Sequence, residues 1–341
     1  MKRVKLRQGT LEWEKARESR IGSSEVFDIV KYYAADEELW NCGINAEDFK
    51  SEAPYTTVWA LYHKLRNDGL YHREALAPEF AEYGHAAEPY GVHTLQKGRV
   101  NKIVPGDVYI DDNLIVSLDA SGIAEECDVR PYDVGEGKPK VGQRFVCEQK
   151  TMRPDMVKHG LPFKYIVQAQ YQVLKVKADF YIIQLMILNE DTPFERGKIC
   201  QMSKKKRFEF LDDNMTVSHY YFKNNHHLAR LIEVCLDRFF DDVKYGIEPM
   251  PFIENDSQKN IIESIRLNSF YDSDADKEFD LTHFVKLKAE EDIAELKRKS
   301  EQQRIVEFAK AHNTLKLHSP DNKVRGFFTK SGALRISGVT G

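Results

Sequence analysis

The chain has 341 residues, of which 42% are hydrophobic and 30% charged, the composition of a globular protein with a sizeable core in one large or two smaller domains. Its start, MKRVKLRQGTLEWEKAR, lacks the apolar run of a signal peptide, and no stretch approaches the roughly 20 apolar residues of a membrane span. Five cysteines (Cys42, Cys127, Cys147, Cys200, Cys235) are scattered without a CxxC pair, which reads as reduced cytosolic thiols, not disulfides or a zinc or iron–sulfur site. The net charge of -4 argues against a surface coated in positive charge but leaves room for a local basic groove.

Residues 11–33 carry helical periodicity, broken by IGSS, and Ser23 or Ser24 is placed to cap the second half, VFDIVKYY. The acidic stretch 34–54 has little periodicity and reads as a loop or insertion. Helical patterning resumes in TTVWALYHKL and runs through PEFAEYGHAAEPYGVHTLQKG. The period then changes. Residues 100–110, LIVSLDASGI, RFVCEQKT and FYIIQLMIL are β-branched and aromatic with turn clusters between them, and so predict strands, with Asp111 and Asp112 at a hairpin turn. A helix, YIVQAQYQVLKV, separates the last two, and 218–245 is expected to be helical. The division expected is a core over 1–250 and a C-terminal extension over 251–341. The extension would hold a long charged helix at 285–311 and a terminal hairpin, VRGFFTKSGALRIS.

Chemistry concentrates in four places. Glu88 lies within GHAAEPY on a predicted helix, and Asp119 ends the strand LIVSLD before a glycine turn. Glu148 and Lys150 are two positions apart on the next strand, so they project to the same side. Gln168 follows on the next helix. Three carboxylates from adjacent elements make a hard-oxygen site suited to Mg²⁺, to which the Gln149 backbone carbonyl could add a ligand. Lys150 could then polarise an attacking water or stabilise charge on a scissile phosphate. The run 204-KKKR-207 reads as a solvated face, with contact to DNA as the alternative. Gln170 reads as helix packing, and His226 and His227 as surface residues.

In order and spacing these pieces resemble the lambda exonuclease/YqaJ-like viral recombinase family of PD-(D/E)XK nucleases. The likeness runs over residues 11–190 through LEWEKARESRIGSSEV, GHAAEPYGV, VSLDASG, CEQKT and YIVQAQYQVLKV. It departs from the family pattern at Leu118, where a proline is usual, and at Gln149, where an apolar residue is commoner.

The resemblance implies an α/β (α+β) restriction-endonuclease-like core, a central mixed sheet flanked by helices. It implies Asp119 and Glu148 as metal ligands, Glu88 as a helical carboxylate for a second metal position, Lys150 as the catalytic lysine and Gln168 in support. Arg17 and Ser24, with Ser23 competing, would hold a 5′-phosphate. The activity implied is a Mg²⁺-dependent 5′-to-3′ exonuclease on ends of linear double-stranded DNA, with Mn²⁺ as a substitute metal. A homotrimer, a single-strand annealing protein as partner and the cytoplasm of a bacterial host come with it. The alternatives are an endonuclease on the same core and a non-catalytic DNA-binding or assembly protein that keeps the fold.

Overall fold

The computed structural model describes residues 1–71, 78–97, 103–125, 134–135, 140–157, 160–189 and 198–251, with isolated positions and three short strands beyond. In chain order the elements are β1 (Lys2–Val4), α1 (Leu11–Glu18), β2 (Ile21–Gly22), α2 (Val26–Tyr33), α3 (Asp36–Asn41), α4 (Ala46–Ser51), α5 (Val58–Arg66) and α6 (Pro78–Lys97). Then come β3 (Val104–Pro105), β4 (Val108–Ile110), β5 (Leu114–Ser117), β6 (Ala120–Ile123), β7 (Val134–Gly135), β8 (Arg144–Met152), α7 (Phe163–Val176), β9 (Phe180–Leu188), α8 (Lys198–Gln201), α9 (Lys204–Asn214), β10 (Met215–Lys223) and α10 (His226–Tyr245). The last three strands are β11 (Lys316–His318), β12 (Arg325–Phe328) and β13 (Leu334–Ser337). Two compact units divide the chain, Met1–Phe270 and Tyr271–Gly341. No described helix is long and apolar enough to cross a membrane.

The first unit holds two mixed sheets flanked by helices. One has the strand order β1-β4-β5-β2 and the other β3-β6-β8-β9-β10-β7. In the larger sheet β8 and β9 run parallel while β6 and β10 flank them antiparallel. Strand β9 is buried on both faces, which is why FYIIQLMIL is an unbroken apolar run. Its Tyr181, Ile183 and Leu185 pack toward α7 in a core shared with Val30, Val167, Tyr171 and Phe239. Its Met186 and Leu188 pack on the other face with Ala87 and Tyr90 of α6.

The same alternation sorts β8. Val146 and Met152 join the α7 side, so Glu148 and Lys150 do too. Phe145 and Cys147 pack with Leu95 of α6, so Gln149 faces α6.

Three expectations need correction. The stretch 34–54 is not a loop: it holds α3 and α4, the latter capped by Asn45 and anchored by the buried Ala46 and Phe49. Their apolar positions are too few for the period to show. Residues 218–223 belong to a strand, since β10 pairs along its whole length with β9 and the helix starts only at His226. Neither Ser23 nor Ser24 caps α2. Instead Glu25 reaches back to accept a 2.7 Å bond from the Gly22 N–H, across a single 3-10 turn at Ser23–Glu25. The terminal hairpin is present as β12 paired antiparallel with β13. The charged helix expected at 285–311 lies largely outside the described residues.

Candidate active site

Where β6 stops, β8 continues. The β6–β8 ladder ends at Ala120 opposite Cys147, while β8 stays paired with β9 as far as Met152 opposite Ile187. From Glu148 onward the edge of β8 that faced β6 therefore has no strand beside it among the described residues. Asp119, the residue just before β6, takes that place, and its Oδ2 accepts a 2.8 Å bond from the Gln149 N–H. A strand residue's N–H and C=O point to the same edge, so the Gln149 carbonyl is directed toward the Asp119 side. Asp119 and Glu148 are thus neighbours, as the sequence requires of a shared site.

Glu148 is almost fully buried, and three side chains fix its carboxylate. Lys150 Nζ and Gln168 Nε2 each lie 2.6 Å from Oε1, and Gln172 Nε2 donates to Oε2 at 2.7 Å. Both glutamines come from α7, one turn apart, and leave their own Oε1 atoms buried without a partner. Burial opposes the Lys150 charge, but Glu148, with Tyr55 and Asp119, outweighs it and holds the amine above its usual range. Burial also raises the Asp119 carboxyl well above the ordinary value, and the nearby Glu148 and Glu88 carboxylates add to the rise while Lys150 opposes it. Acidic groups outnumber the cation here, which is the electrostatic condition of a site that a divalent ion would complete.

Glu88 stands apart. It is on α6, on the opposite face of the sheet from Glu148, and its Oε1 pairs with His85 Nδ1 at 2.9 Å. That bond raises the His85 pKa against the opposing effect of burial. Among the described residues no group of three or more His, Cys, Asp or Glu converges tightly enough to hold a metal on its own. What lies together along this edge is the Asp119 carboxylate and the Gln149 main chain, with the Glu148 carboxylate near enough to act on Asp119. That donor set still fits a hard cation such as Mg²⁺, which takes one or two carboxylates and fills the rest with water and substrate oxygen.

The first motif also closes up. Arg17 Nη2 donates to Ser24 Oγ at 3.1 Å, with the guanidinium 5.2 Å from the centre of the Trp13 ring. Gly22 makes room for it, since a Cβ there would stand 3.3 Å from Arg17 Nε. Ser23 is buried, and Glu25 beneath it is held by Lys64 Nζ at 2.8 Å from both carboxylate oxygens. The turn carrying these serines packs on α7 and β5.

No family model matches the chain, and no curated protein does. Solved structures do. The chain is similar to LHK-Exo in complex with dAMP, at 16% identity over 70% of this chain and 95% of that one, with a TM-score of 0.41. It is similar to the alkaline exonuclease LHK-Exo from Laribacter hongkongensis, at 14% identity over 69% and 95%, TM-score 0.39. A phage related exonuclease from Haemophilus somnus 129PT matches at 9% identity over 69% and 99%, TM-score 0.39. These three structural neighbours are exonucleases.

Several side chains around the site escaped the sequence reading. Gln172 is one, although its spacing of four from Gln168 puts both on one helical face and would have exposed it. Gln170 points elsewhere, bonding Asn224 Oδ1 at 2.7 Å and the Asn225 N–H at 2.9 Å, which is the packing role expected of it. The basic run opens α9. Lys204, Lys205 and Lys206 are exposed, but Arg207 is tied to the carbonyls of Ala86, Cys200 and Met202 and is not a free surface cation. Asp111 forms the expected turn, its Oδ1 accepting from the Leu114 N–H at 2.9 Å.

Proposed function

We propose that this chain is a Mg²⁺-dependent deoxyribonuclease that digests linear double-stranded DNA from its 5′ ends and leaves 3′ single strands. The observation that carries the proposal is the open edge of β8, where the Asp119 carboxylate, the Gln149 carbonyl and the Glu148–Lys150 pair gather beside one another. Asp119, Glu148 and the Gln149 carbonyl would hold the metal, with Glu88 toward a second position. Mg²⁺, when bound, supplies Lewis-acid stabilisation of charge on the scissile phosphate. Lys150 stays protonated beside Glu148 and donates hydrogen bonds to phosphate oxygen or to the attacking water. Gln168 and Gln172 keep Glu148 in one orientation, so no reorganisation is needed when substrate arrives. Arg17 and Ser24 would bind the 5′-phosphate, a guanidinium and a hydroxyl being suited to a terminal dianion.

The resemblance in sequence further supports a homotrimer around DNA and a single-strand annealing protein as partner, within a bacterial cytoplasm. Digestion of three substrates tests the main reading: linear DNA with 5′-phosphate, the same DNA dephosphorylated, and closed circles. The phosphorylated linear duplex should be degraded fastest and the circle left intact. Cutting of closed circles, equal rates on both linear forms, or full activity in excess chelator would each overturn it.

A further inference from the structure

Three neighbouring strands each send one polar side chain into the otherwise apolar face beneath α6. Gln149, Gln184 and His219 are direct partners in the β8–β9 and β9–β10 registers, so they form a single row across the sheet. All three are buried. The Gln149 and Gln184 amides meet at 2.9 Å, and Gln184 lies 2.8 Å from both Thr94 Oγ1 and His219 Nε2 and 3.1 Å from the Gly91 carbonyl. A polar row in such a place needs complete hydrogen bonding to be tolerated, and most of its partners are on α6.

The grip on α6 falls at one turn. Pro89 sits inside this helix and supplies no N–H. The two ends of the Gln149 amide stand 3.2 Å from the Glu88 carbonyl and 3.1 Å from the Val92 N–H. Those two backbone groups are each other's i, i+4 partners in a regular helix. The orientation that satisfies both has the amide nitrogen donating to Glu88 and the oxygen accepting from Val92, and it replaces the alternative in which Gln149 Nε2 donates to Gln184 Oε1. The side chain then holds both main-chain groups of the turn that carries the proline. Gly91 permits the approach: a Cβ there would lie 2.5 Å from Gln184 Oε1 and 2.7 Å from Gln149 Nε2.

We propose that the Gln149–Gln184–His219 row is a positioning device that sets the Glu88 carboxylate against the Asp119–Glu148 site. Gln149 is its central member because it touches both parts. Its backbone N–H binds Asp119 and its side chain binds the Glu88 turn. The row lies on the face of β8 away from Lys150, so it acts through Glu88 and not on substrate. The residue between Glu148 and Lys150 is thus the link between strand and helix. This role rests on the nuclease reading above.

The test is Mn²⁺ binding to the full chain by calorimetry, with amide exchange at Val92 as a metal-independent readout. Gln149→Met should speed exchange at Val92 and weaken Mn²⁺ binding about tenfold, the lower range for loss of a supporting partner of a metal ligand. In a Glu88→Gln background the same change should add less than twofold. Gln170→Met, which removes an equally buried amide that holds α10, should leave Mn²⁺ affinity within twofold. Gln184→Met is read in the same way should Gln149→Met not fold. Unchanged exchange at Val92, an equal loss in Gln170→Met, or an undiminished loss in the Glu88→Gln background would overturn the inference alone. A wild type that takes up no Mn²⁺ would overturn the nuclease reading, and this role with it.

Discussion

Lys150 and Glu148 meet head to head at 2.6 Å on one side of β8, the acid side chain almost fully buried and the lysine side chain 22% exposed. The amine also lies 5.1 Å from the centre of the Tyr165 ring, so the pair is held from both sides. Lys150→Met should therefore cost more in reaction than in folding, because Gln168 and Gln172 still satisfy Glu148. Loss of one preorganised charge stabiliser predicts a fall of about 10²- to 10³-fold in single-turnover cleavage. A variant within tenfold of wild type would remove Lys150 from the chemistry.

Arg17 and Ser24 should act on substrate choice. Arg17→Ala removes a guanidinium that reaches the Ser24 hydroxyl. Charge-assisted bonds of this kind are worth about 1.5–3 kcal/mol, so the preference for 5′-phosphorylated over 5′-hydroxyl ends should shrink by roughly 10- to 100-fold. Competition between the two ends in one digest measures the ratio directly. An unchanged ratio would place the phosphate pocket elsewhere.

Beneath that pocket lies a buried ion pair, Lys64 with Glu25. Lys64→Met strands Glu25, with only the Gly22 N–H left to it, and should destabilise the fold by about 3–5 kcal/mol. The double variant Lys64→Met/Glu25→Gln should recover most of that loss, since it removes the stranded charge. Urea melts of the two variants decide the point. Equal destabilisation in both would show that packing, not charge, is at stake.

Asp28 gives the fold a pH dependence away from the site. Burial pushes its carboxyl up to about 8, against the backbone N–H groups of Tyr55 and Thr56 that favour the anion, while the Glu25 carboxylate adds to the rise. The folded chain therefore keeps a proton that the unfolded chain has already released. Stability from this group is complete below the ordinary carboxylate range and is lost as pH climbs toward 8, with a slope of up to about 1.4 kcal/mol per pH unit. Asp28→Asn should flatten the profile between pH 4 and 8 as measured by thermal melting, although one backbone N–H loses its acceptor. A profile as steep as wild type would assign the dependence to another group.

Where the sequence carried a strong period or an alternation, it was legible. The strand run 144–152 placed Glu148 and Lys150 on one side, and the apolar stretch 180–188 announced a strand. The helix YIVQAQYQVLKV was plain, and Gln170 was readable as packing, but the hold of Gln172 on Glu148 was not, because a glutamine has the same composition whether it holds a carboxylate or a neighbouring helix. Glu88 was readable as a helical acid. Its approach to the sheet from the face opposite Glu148 depends on which face α6 covers, and no local pattern states that. The short helices at 36–41 and 46–51 escaped for a related reason, since six residues supply too few turns to reveal a period.

The early end of β6 has a consequence for how such a site is built. Pairing given up along the second half of β8 leaves main-chain groups at the border of a rigid sheet, where their directions are fixed by strands on the far side. Side chains can swing and can be exchanged by mutation; a carbonyl on a strand can do neither. In the site proposed here the sheet would lend one immovable oxygen to a cluster of otherwise replaceable ones, a ligand that no side-chain exchange deletes.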